Sequence, residues 1–215
     1  MFPPPPISER NAKGDGKVIM LSAIQDRRSI RKYKNTPISP KTIALVLRAG
    51  YQAPSSKNRQ PWRFVVCAGA AKAEMLSVMS AGLERESQHP LLPGSAQYLQ
   101  GAVRTREIMA QAPVVILVAN ALSLPLDEPL TPEQRIYELC NAQSIGACME
   151  NMSLAALRMG LGSLWICDTY FALAELNAWL GGGRQLMAAM ALGYPDENPP
   201  PRPRKEFDSL VEWRM

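Results

Sequence analysis

Residues 140–168 read CNAQSIGACMENMSLAALRMGLGSLWICD, a helix-like stretch that runs through a glycine pair into a short apolar segment. Thr131 and Pro132 precede it and are typical of a helix N-terminus, so we predict one long helix that ends near Met159. The glycines then end the helix, and residues 163–167 are predicted to form a strand. The other elements of the fold are added to this helix, turn and strand.

The long helix has a broad apolar side that is rich in small residues. Such a side packs in a core or against another helix, including a helix of a second subunit, more often than it lines a ligand site. The residues on this side are Ile136, Leu139, Cys140, Gln143, Ala147, Met152, Ala155 and Ala156.

Further segments alternate between helical and strand-like composition. Helices are predicted at 17–25, 40–51, 70–84, 95–111 and 171–180, and strands at 63–69, 113–120 and 185–194. Strands separated by helices predict an α+β fold, with a central mixed sheet surrounded by helices. Residues 1–16 contain four consecutive prolines and are predicted to be a disordered leader, which leaves 17–215 as a single domain.

Charge and hydropathy exclude several function classes. The 24 Lys and Arg against 19 Asp and Glu give a net charge of +5, which favours anionic partners but is low for a nucleic-acid-binding protein. No apolar run approaches the ~20 residues that cross a bilayer. The sequence therefore predicts a protein with neither nucleic-acid nor membrane partners. Leu210, Val211 and Trp213 would not suit an exposed C-terminus, so we expect this end to dock on another surface.

Cysteine and histidine are too few and too scattered for most metal or triad chemistry. The four cysteines form no CxxC pair and lie in apolar stretches, which predicts buried thiols in a reducing, cytoplasmic compartment rather than a zinc site or disulfides. The sequence contains one histidine, His89. A redox or group-transfer reaction would therefore need a bound cofactor.

Three polar segments combine cationic side chains with hydroxyl and amide groups. They are RRSIRKY (27–33), APSSKNRQPW (53–62) and PRPRKEF (201–207). By itself, a basic run at a helix end is usually a solvated surface that interacts weakly with the helix dipole. All three together suit a phosphate monoester on a small cofactor. One arginine guanidinium can donate to two phosphate oxygens at once, and the hydroxyl and amide groups can bind the remaining polar atoms.

The same segments, in this order, resemble the signatures of the nitroreductase family of FMN-dependent oxidoreductases. RRSIRKY resembles the family's N-terminal Arg-Arg-Ser-x-Arg run, and APSSKNRQPW resembles its Pro-Ser-x-x-Asn-x-Gln-Pro-Trp loop. The stretch 140–168 is similar to the family's central helix, glycine turn and strand, and LGYPDENPPPRPRK (192–205) resembles its closing signature. The resemblance covers the chain from about Lys17 to Trp213.

The resemblance implies a homodimer with two FMN sites at the subunit interface and a C-terminal extension that wraps the partner subunit. The basic run would contact the phosphate and the ribityl chain, and the strand after the glycine turn would lie against the flavin ring. The residues implied to bind the cofactor are Arg27, Arg28, Ser29 and Arg31 from one subunit, Pro54, Ser55, Ser56 and Asn58 from the other, Gln143 of the central helix, Gly162, Ile166 and Cys167 near the ring, and Arg202 and Arg204 near the phosphate, with Lys205 as an alternative to Arg202.

The activity implied by the resemblance is transfer of hydride or electrons from NADH or NADPH through FMN to a nitroaromatic, quinone or similar acceptor, by a ping-pong mechanism. No side chain need act as a nucleophile, so we assign no catalytic residue. The alternatives are a reductive dehalogenase, flavin-fragmenting oxygen chemistry, and a flavin-binding or sensing protein without nicotinamide-driven turnover.

Two residues at the end of the predicted strand leave alternatives open. Asp168 either faces the flavin ring, where its charge would lower the reduction potential, or caps the next helix. Cys167 is either a redox thiol or a packed strand thiol. Residues 87–105 correspond to the family's variable region over the substrate face, with which we group Arg85, His89, Tyr98 and Arg104.

Overall fold

A four-stranded sheet forms the centre of the protein, described here by a computed structural model over residues 22–90, 94–124 and 129–215. The strands are β1 (Trp62–Cys67), β2 (Val114–Asn120), β3 (Gly162–Ile166) and β4 (Gln185–Gly193). They are hydrogen-bonded in the order β1-β2-β4-β3. The strands predicted from the sequence are confirmed, with ends that differ by one or two residues.

Every pair of neighbouring strands is antiparallel, so the predicted mixed sheet is wrong for the described residues. Two helices lie between β1 and β2 and return the chain so that β2 runs antiparallel to β1. β2 and β3 run in the same direction, but β4 inserts between them and pairs antiparallel with both. The one parallel contact within the described ranges is an isolated bridge between Ser29 and Ser163, outside the pairing of the four strands.

Helices cover both faces of the sheet, and the α+β fold class is confirmed. They are α1 (Ser22–Asp26), α2 (Pro40–Tyr51), α3 (Gly69–Gln88), α4 (Leu99–Gln111), α5 (Pro132–Arg158) and α6 (Leu173–Trp179). The helix predicted at 171–180 is divided, because a 3-10 turn over Asp168–Ala172 precedes α6. None of the helices in these ranges combines the length and the apolar character that a bilayer span requires. The predicted leader, 1–16, lies outside the described residues.

Two helix starts follow from local side-chain chemistry. The Ser39 hydroxyl accepts a hydrogen bond from the Thr42 N–H at 3.1 Å, which caps α2. Thr131 and Gln134 cap α5 reciprocally, each side chain accepting from the other residue's backbone N–H. Pro40 and Pro132 occupy the first helical positions, where the absence of an N–H costs nothing. These pairs fix where α2 and α5 begin.

The sheet is packed on both faces, which gives three layers. Residues alternate between the faces along a strand, so Ile116 of β2 packs with Met149 and Met152 of α5, whereas Leu117 packs among residues of α3, α4 and α6. All of β2 is buried, which explains its unbroken apolar sequence. β4 joins this buried strand to β3, which positions the candidate site.

Helix α5 is buried along its C-terminal half and exposed along much of its N-terminal half. Met152 and Ala156 lie in the core, as predicted for the apolar side. Ile136 and Leu139 are instead 58% and 59% exposed, and Gln143 is also exposed. The predicted packing of this side is therefore confirmed for the C-terminal half of α5, which contacts β2, β3 and β4. Ile136 and Leu139 of the N-terminal half are not buried by the described residues of their own chain.

The C-terminal tail, residues 194–215, leaves the sheet after β4 and first runs along the basic segment, residues 27–34. The Lys34 N–H donates to the Tyr194 carbonyl at 2.9 Å, and the Asp196 N–H donates to the Lys32 carbonyl at 2.9 Å. Farther on, the tail is exposed, with Trp213 at 71% exposure. The expected docking of this end is not made with the described residues of its own chain.

Candidate functional site

The basic segment is attached to the beginning of β3, at Ser163 directly after Gly162. The Ile30 N–H donates to the Ser163 carbonyl at 3.0 Å, and Ser29 forms the parallel bridge with the same residue. Ile30 packs directly on Gly162, where a Cβ would lie 2.8 Å from two of its side-chain carbons. Glycine is therefore needed at position 162 for this close approach, and its role is to seat the basic segment.

Glu197 joins the basic segment to the tail. Its carboxylate accepts hydrogen bonds from the backbone N–H groups of Arg31 and Lys32. A carboxylate on two successive N–H groups is a charge-assisted interaction, stronger than a bond between neutral groups. Sequence reasoning missed this residue, because nothing in the run PDENPPP distinguishes its second carboxylate from its first.

Between the basic segment and the tail lies a cleft of about 690 Å³, which we call the arginine cleft. It brings together six of the residues expected to bind the cofactor, from opposite ends of the chain. Among the described residues that line it, five are arginines and none is Asp or Glu. The lining comprises Ile24, Gln25, Arg27, Arg28, Ser29, Arg31, Pro199, Pro200, Pro201, Arg202 and Arg204.

The arginines of this cleft differ in whether their charge is paired with a carboxylate of the same chain. Arg27 forms an ion pair with Glu150 of α5, with 3.1 Å between Nε and Oε1. Arg28 donates from one nitrogen to the carbonyls of Gln25 and Arg27, which orients the side chain without neutralising it. Arg204 is exposed and forms no ion pair with any described residue, and the same holds for Arg202. The positive charge available to a ligand therefore comes chiefly from residues other than Arg27.

The loop of residues 53–61 lies along α5 and does not line the arginine cleft of its own chain. The Ser56 N–H donates to the Ser144 hydroxyl at 3.3 Å, and the Arg59 guanidinium lies 4.9 Å from the centre of the Tyr137 ring. Lys57, Asn58 and Gln60 all have left-handed backbone, at φ of 51°, 53° and 48°. Such strain in non-glycine residues clusters at functional sites. This loop contains all four residues that are expected from the second subunit, namely Pro54, Ser55, Ser56 and Asn58.

The C-terminal end of β3 opens into a second cleft of about 430 Å³, the β3-end cleft. Ile166 is buried in the core and is not among the described residues that line this cleft, whereas Cys167 is. The described residues that line it are Gln97, Tyr98, Gly101, Cys167, Asp168, Tyr170 and Phe171. Gly162 thus begins β3 and Cys167 directly follows its last residue, with the arginine cleft near the first and this cleft at the second.

Asp168 does not cap the following helix, so that alternative is wrong. The 3-10 turn that it starts has no side-chain cap bond, and Thr105 of α4 instead donates its hydroxyl to Oδ2 of Asp168.

Arg85, grouped above with the substrate region, is bonded to Glu175 and Glu86 and holds α3 to α6. Residue Tyr98 is 64% exposed at the cleft.

The prediction that all four cysteines are buried is confirmed for Cys67 and Cys148, but Cys140 is half-buried and Cys167 is exposed, so it is wrong for Cys167. Burial raises the pKa of Cys67 to about 11 and that of Cys148 to about 12. Cys167 is exposed, yet partial desolvation of its sulfur, followed by the charge of Asp168, raises its pKa too. A thiol with a raised pKa is a poor nucleophile at neutral pH. The redox-thiol alternative for Cys167 is therefore not favoured.

Comparisons with known proteins agree with this arrangement. Residues 24–194 match the model of the nitroreductase family. A protein of Archaeoglobus fulgidus, provisionally named NADH dehydrogenase/NAD(P)H nitroreductase, is 31% identical over 184 residues, which cover 82% of this chain and 86% of that protein.

Solved structures show the same fold. A BluB-like flavoprotein of Clostridium difficile has a TM-score of 0.70 at 27% identity and covers 90% of this chain and 98% of its own. A nitroreductase homologue of Desulfovibrio desulfuricans, crystallised in complex with FMN, has a TM-score of 0.64 at 27% identity, with coverage of 90% and 95%. The chain belongs to the nitroreductase family.

Proposed function

We propose that the protein is an FMN-dependent oxidoreductase that passes hydride or electrons from NADH or NADPH to a nitroaromatic, quinone or similar acceptor, by a ping-pong mechanism. The arginine cleft carries this proposal, because five arginines from both ends of the chain line it and no lining residue in the described ranges is a carboxylate. Family membership and the FMN complex of the Desulfovibrio relative support the identity of the cofactor.

The residues of the arginine cleft fit a phosphate monoester. Arg28 and Arg31 on the basic segment and Arg204 on the tail would hold the phosphate oxygens through paired N–H donors. Ser29 would add a hydroxyl, and Arg202 would add charge at the tail side. Arg27 shares its charge with Glu150, so we assign it a supporting contact. The cleft would thus bind the end of FMN that is remote from the reacting ring.

When bound, FMN supplies the redox chemistry, taking hydride from a reduced nicotinamide and returning reducing equivalents to the acceptor. The chain binds and orients the cofactor and provides charge and backbone N–H groups around it. We expect the turn and strand from Gly160 to Cys167 to lie against the ring. No catalytic side chain is assigned, because His89 is an exposed residue at the end of α3 and the pKa of Cys167 is raised.

We also propose that two copies of the chain complete each site. The loop with Ser55 and Asn58 lies away from the arginine cleft of its own chain, as expected of residues that serve the other subunit. Gln143 is exposed on α5, one residue before the Ser144 that holds this loop. Large apolar side chains are exposed on α5 and on the tail, and burying them against a second copy would stabilise the pair. They are Ile136, Leu139, Phe207, Leu210 and Trp213.

A visible spectrum of the purified protein, followed by anaerobic titration with NADH and with NADPH, tests the proposal. We expect a yellow protein, or one that turns yellow on addition of FMN, whose absorbance bleaches with at least one nicotinamide. A protein that binds FMN but stays oxidised in excess of both nicotinamides would support the flavin-binding alternative without turnover. Failure to bind FMN would overturn the proposal.

A further inference from the structure

Among its described lining residues, the β3-end cleft combines aromatic surface with one carboxylate. Three aromatic residues line it, and two of them, Tyr98 and Tyr170, are 64% and 40% exposed. Neither tyrosine hydroxyl forms a hydrogen bond with any described residue. Exposed aromatic side chains at a concave surface are typical of sites for planar aromatic ligands.

The carboxylate in this cleft is held in place but not neutralised. Thr105, which is 63 residues away in sequence, donates its hydroxyl to Oδ2 of Asp168. In the parts of the chain that the structure describes, no Lys or Arg forms an ion pair with Asp168. The oxygen Oδ1 makes no hydrogen bond with these residues either. A negative charge therefore remains available beside the tyrosine rings.

We propose that the β3-end cleft binds the acceptor and that Asp168 selects aromatic acceptors carrying a cationic or hydrogen-bond-donating substituent over those carrying a carboxylate. This inference rests on the proposed function, since it assigns the substrate class of the same site. An ammonium group would be attracted by Asp168 and by the electron-rich faces of Tyr98 and Tyr170. A carboxylate would be repelled by Asp168, and none of the described residues that line the cleft is a cation that could offset the repulsion.

The test compares ligands that share a phenyl ring and differ in charge. Binding of benzyltrimethylammonium and of benzoate to the purified protein is measured by calorimetry, which requires no turnover, in excess inorganic phosphate that competes with benzoate for the arginine cleft. Wild-type protein should bind the cation at least tenfold more tightly than the anion, the ratio that a difference of about 1.4 kcal/mol produces. Asp168→Asn should bring the ratio close to one. Glu107→Gln, which removes an exposed carboxylate from α4 outside the cleft lining, should leave the ratio unchanged.

Turnover provides a second readout with the FMN-loaded protein. The acceptors 4-nitrobenzyltrimethylammonium, 4-nitrobenzyl alcohol and 4-nitrobenzoate share a ring and a nitro group. We expect kcat/KM to fall in that order for wild type, and Asp168→Asn to affect the alcohol least. Thr105→Val, which removes the donor to Asp168, should give an intermediate preference and shows the effect of positioning if Asp168→Asn does not fold.

Equal binding of the cation and the anion to wild-type protein, or an unchanged ratio in both variants, would overturn the inference. A protein that binds FMN and is reduced by nicotinamide but has no charge preference would refute only this assignment. A protein that does not bind FMN would refute the proposed function, while the calorimetric comparison would still decide the charge selectivity of the cleft.

Discussion

Glu197→Ala should weaken both the fold and the cofactor site, because this carboxylate joins the two walls of the arginine cleft. It accepts from the N–H groups of Arg31 and Lys32, on the segment opposite the tail that bears Arg204. Without it, the basic segment keeps its bonds to Ser163 but loses this attachment to the tail.

The size of the effect follows from the exposure of the two donors. A hydrogen bond to a charged group contributes about 1.5–3 kcal/mol. Lys32 is exposed and water can replace its bond, so most of the loss comes from the half-buried N–H of Arg31, or about 2 kcal/mol. For a domain of this size, that lowers the Tm by about 4–8 °C. Part of the same loss should appear as a rise of about tenfold in the Kd for FMN, since the tail arginines are held less well.

The assay is a fluorescence titration of the apoprotein with FMN, beside a thermal melt of each variant. Glu197→Gln keeps an oxygen acceptor without the charge, so its loss of stability and of FMN affinity should be about half that of Glu197→Ala. Glu107→Gln is the matched control, because it removes an exposed carboxylate of α4 that lines neither cleft. An unchanged FMN Kd in Glu197→Ala would refute the reasoning, whatever the melt showed.

Three further outcomes are expected. Arg28→Ala and Arg204→Ala should each weaken FMN binding by ~1.5–3 kcal/mol in the same titration, and unchanged affinity in both would remove the phosphate assignment. A chain cut after Pro195 should lose dimer stability and flavin together in sedimentation with absorbance detection, and a stable monomeric holoprotein would contradict the shared site. The hydrogen bond from Arg85 lowers the pKa of Glu175, so its contribution to stability is present above the unfolded pKa and is lost as the pH falls through the folded value. Glu175→Gln should thus be less stable than wild type by about 1–2 kcal/mol at pH 7 and should approach it in acid melts, whereas a constant difference would contradict this assignment.

Local features of the fold could be predicted from the sequence, and features that depend on distant contacts could not. The Ser39-Pro40 and Thr131-Pro132 pairs determine helix starts through bonds within four residues. The insertion of β4 between β2 and β3 depends on long-range packing, which a pattern of alternating helices and strands does not contain.

The candidate site shows the same division. The basic run and the arginines of the tail could be recognised in the sequence as anion-binding in character. Its partners could not: the Arg27–Glu150 pair joins residues 123 apart, and the Thr105–Asp168 bond joins residues 63 apart. A single carboxylate or hydroxyl carries no signal of the partner that it will meet after folding.

Strand β3 also sets a length. Ser163 holds the basic segment, Cys167 opens the β3-end cleft, and an extended strand covers the four steps between them in about 13 Å. A molecule that uses both clefts must therefore have its anionic group and its reacting part at a matching separation, so the backbone selects ligands by size before any side chain selects them by chemistry. Deleting one residue from 163–167 would shorten this separation by ~3.3 Å and turn the following side chains to the other face of the sheet. Both clefts could then persist, each able to bind its own fragment, while no single molecule could occupy the two at once.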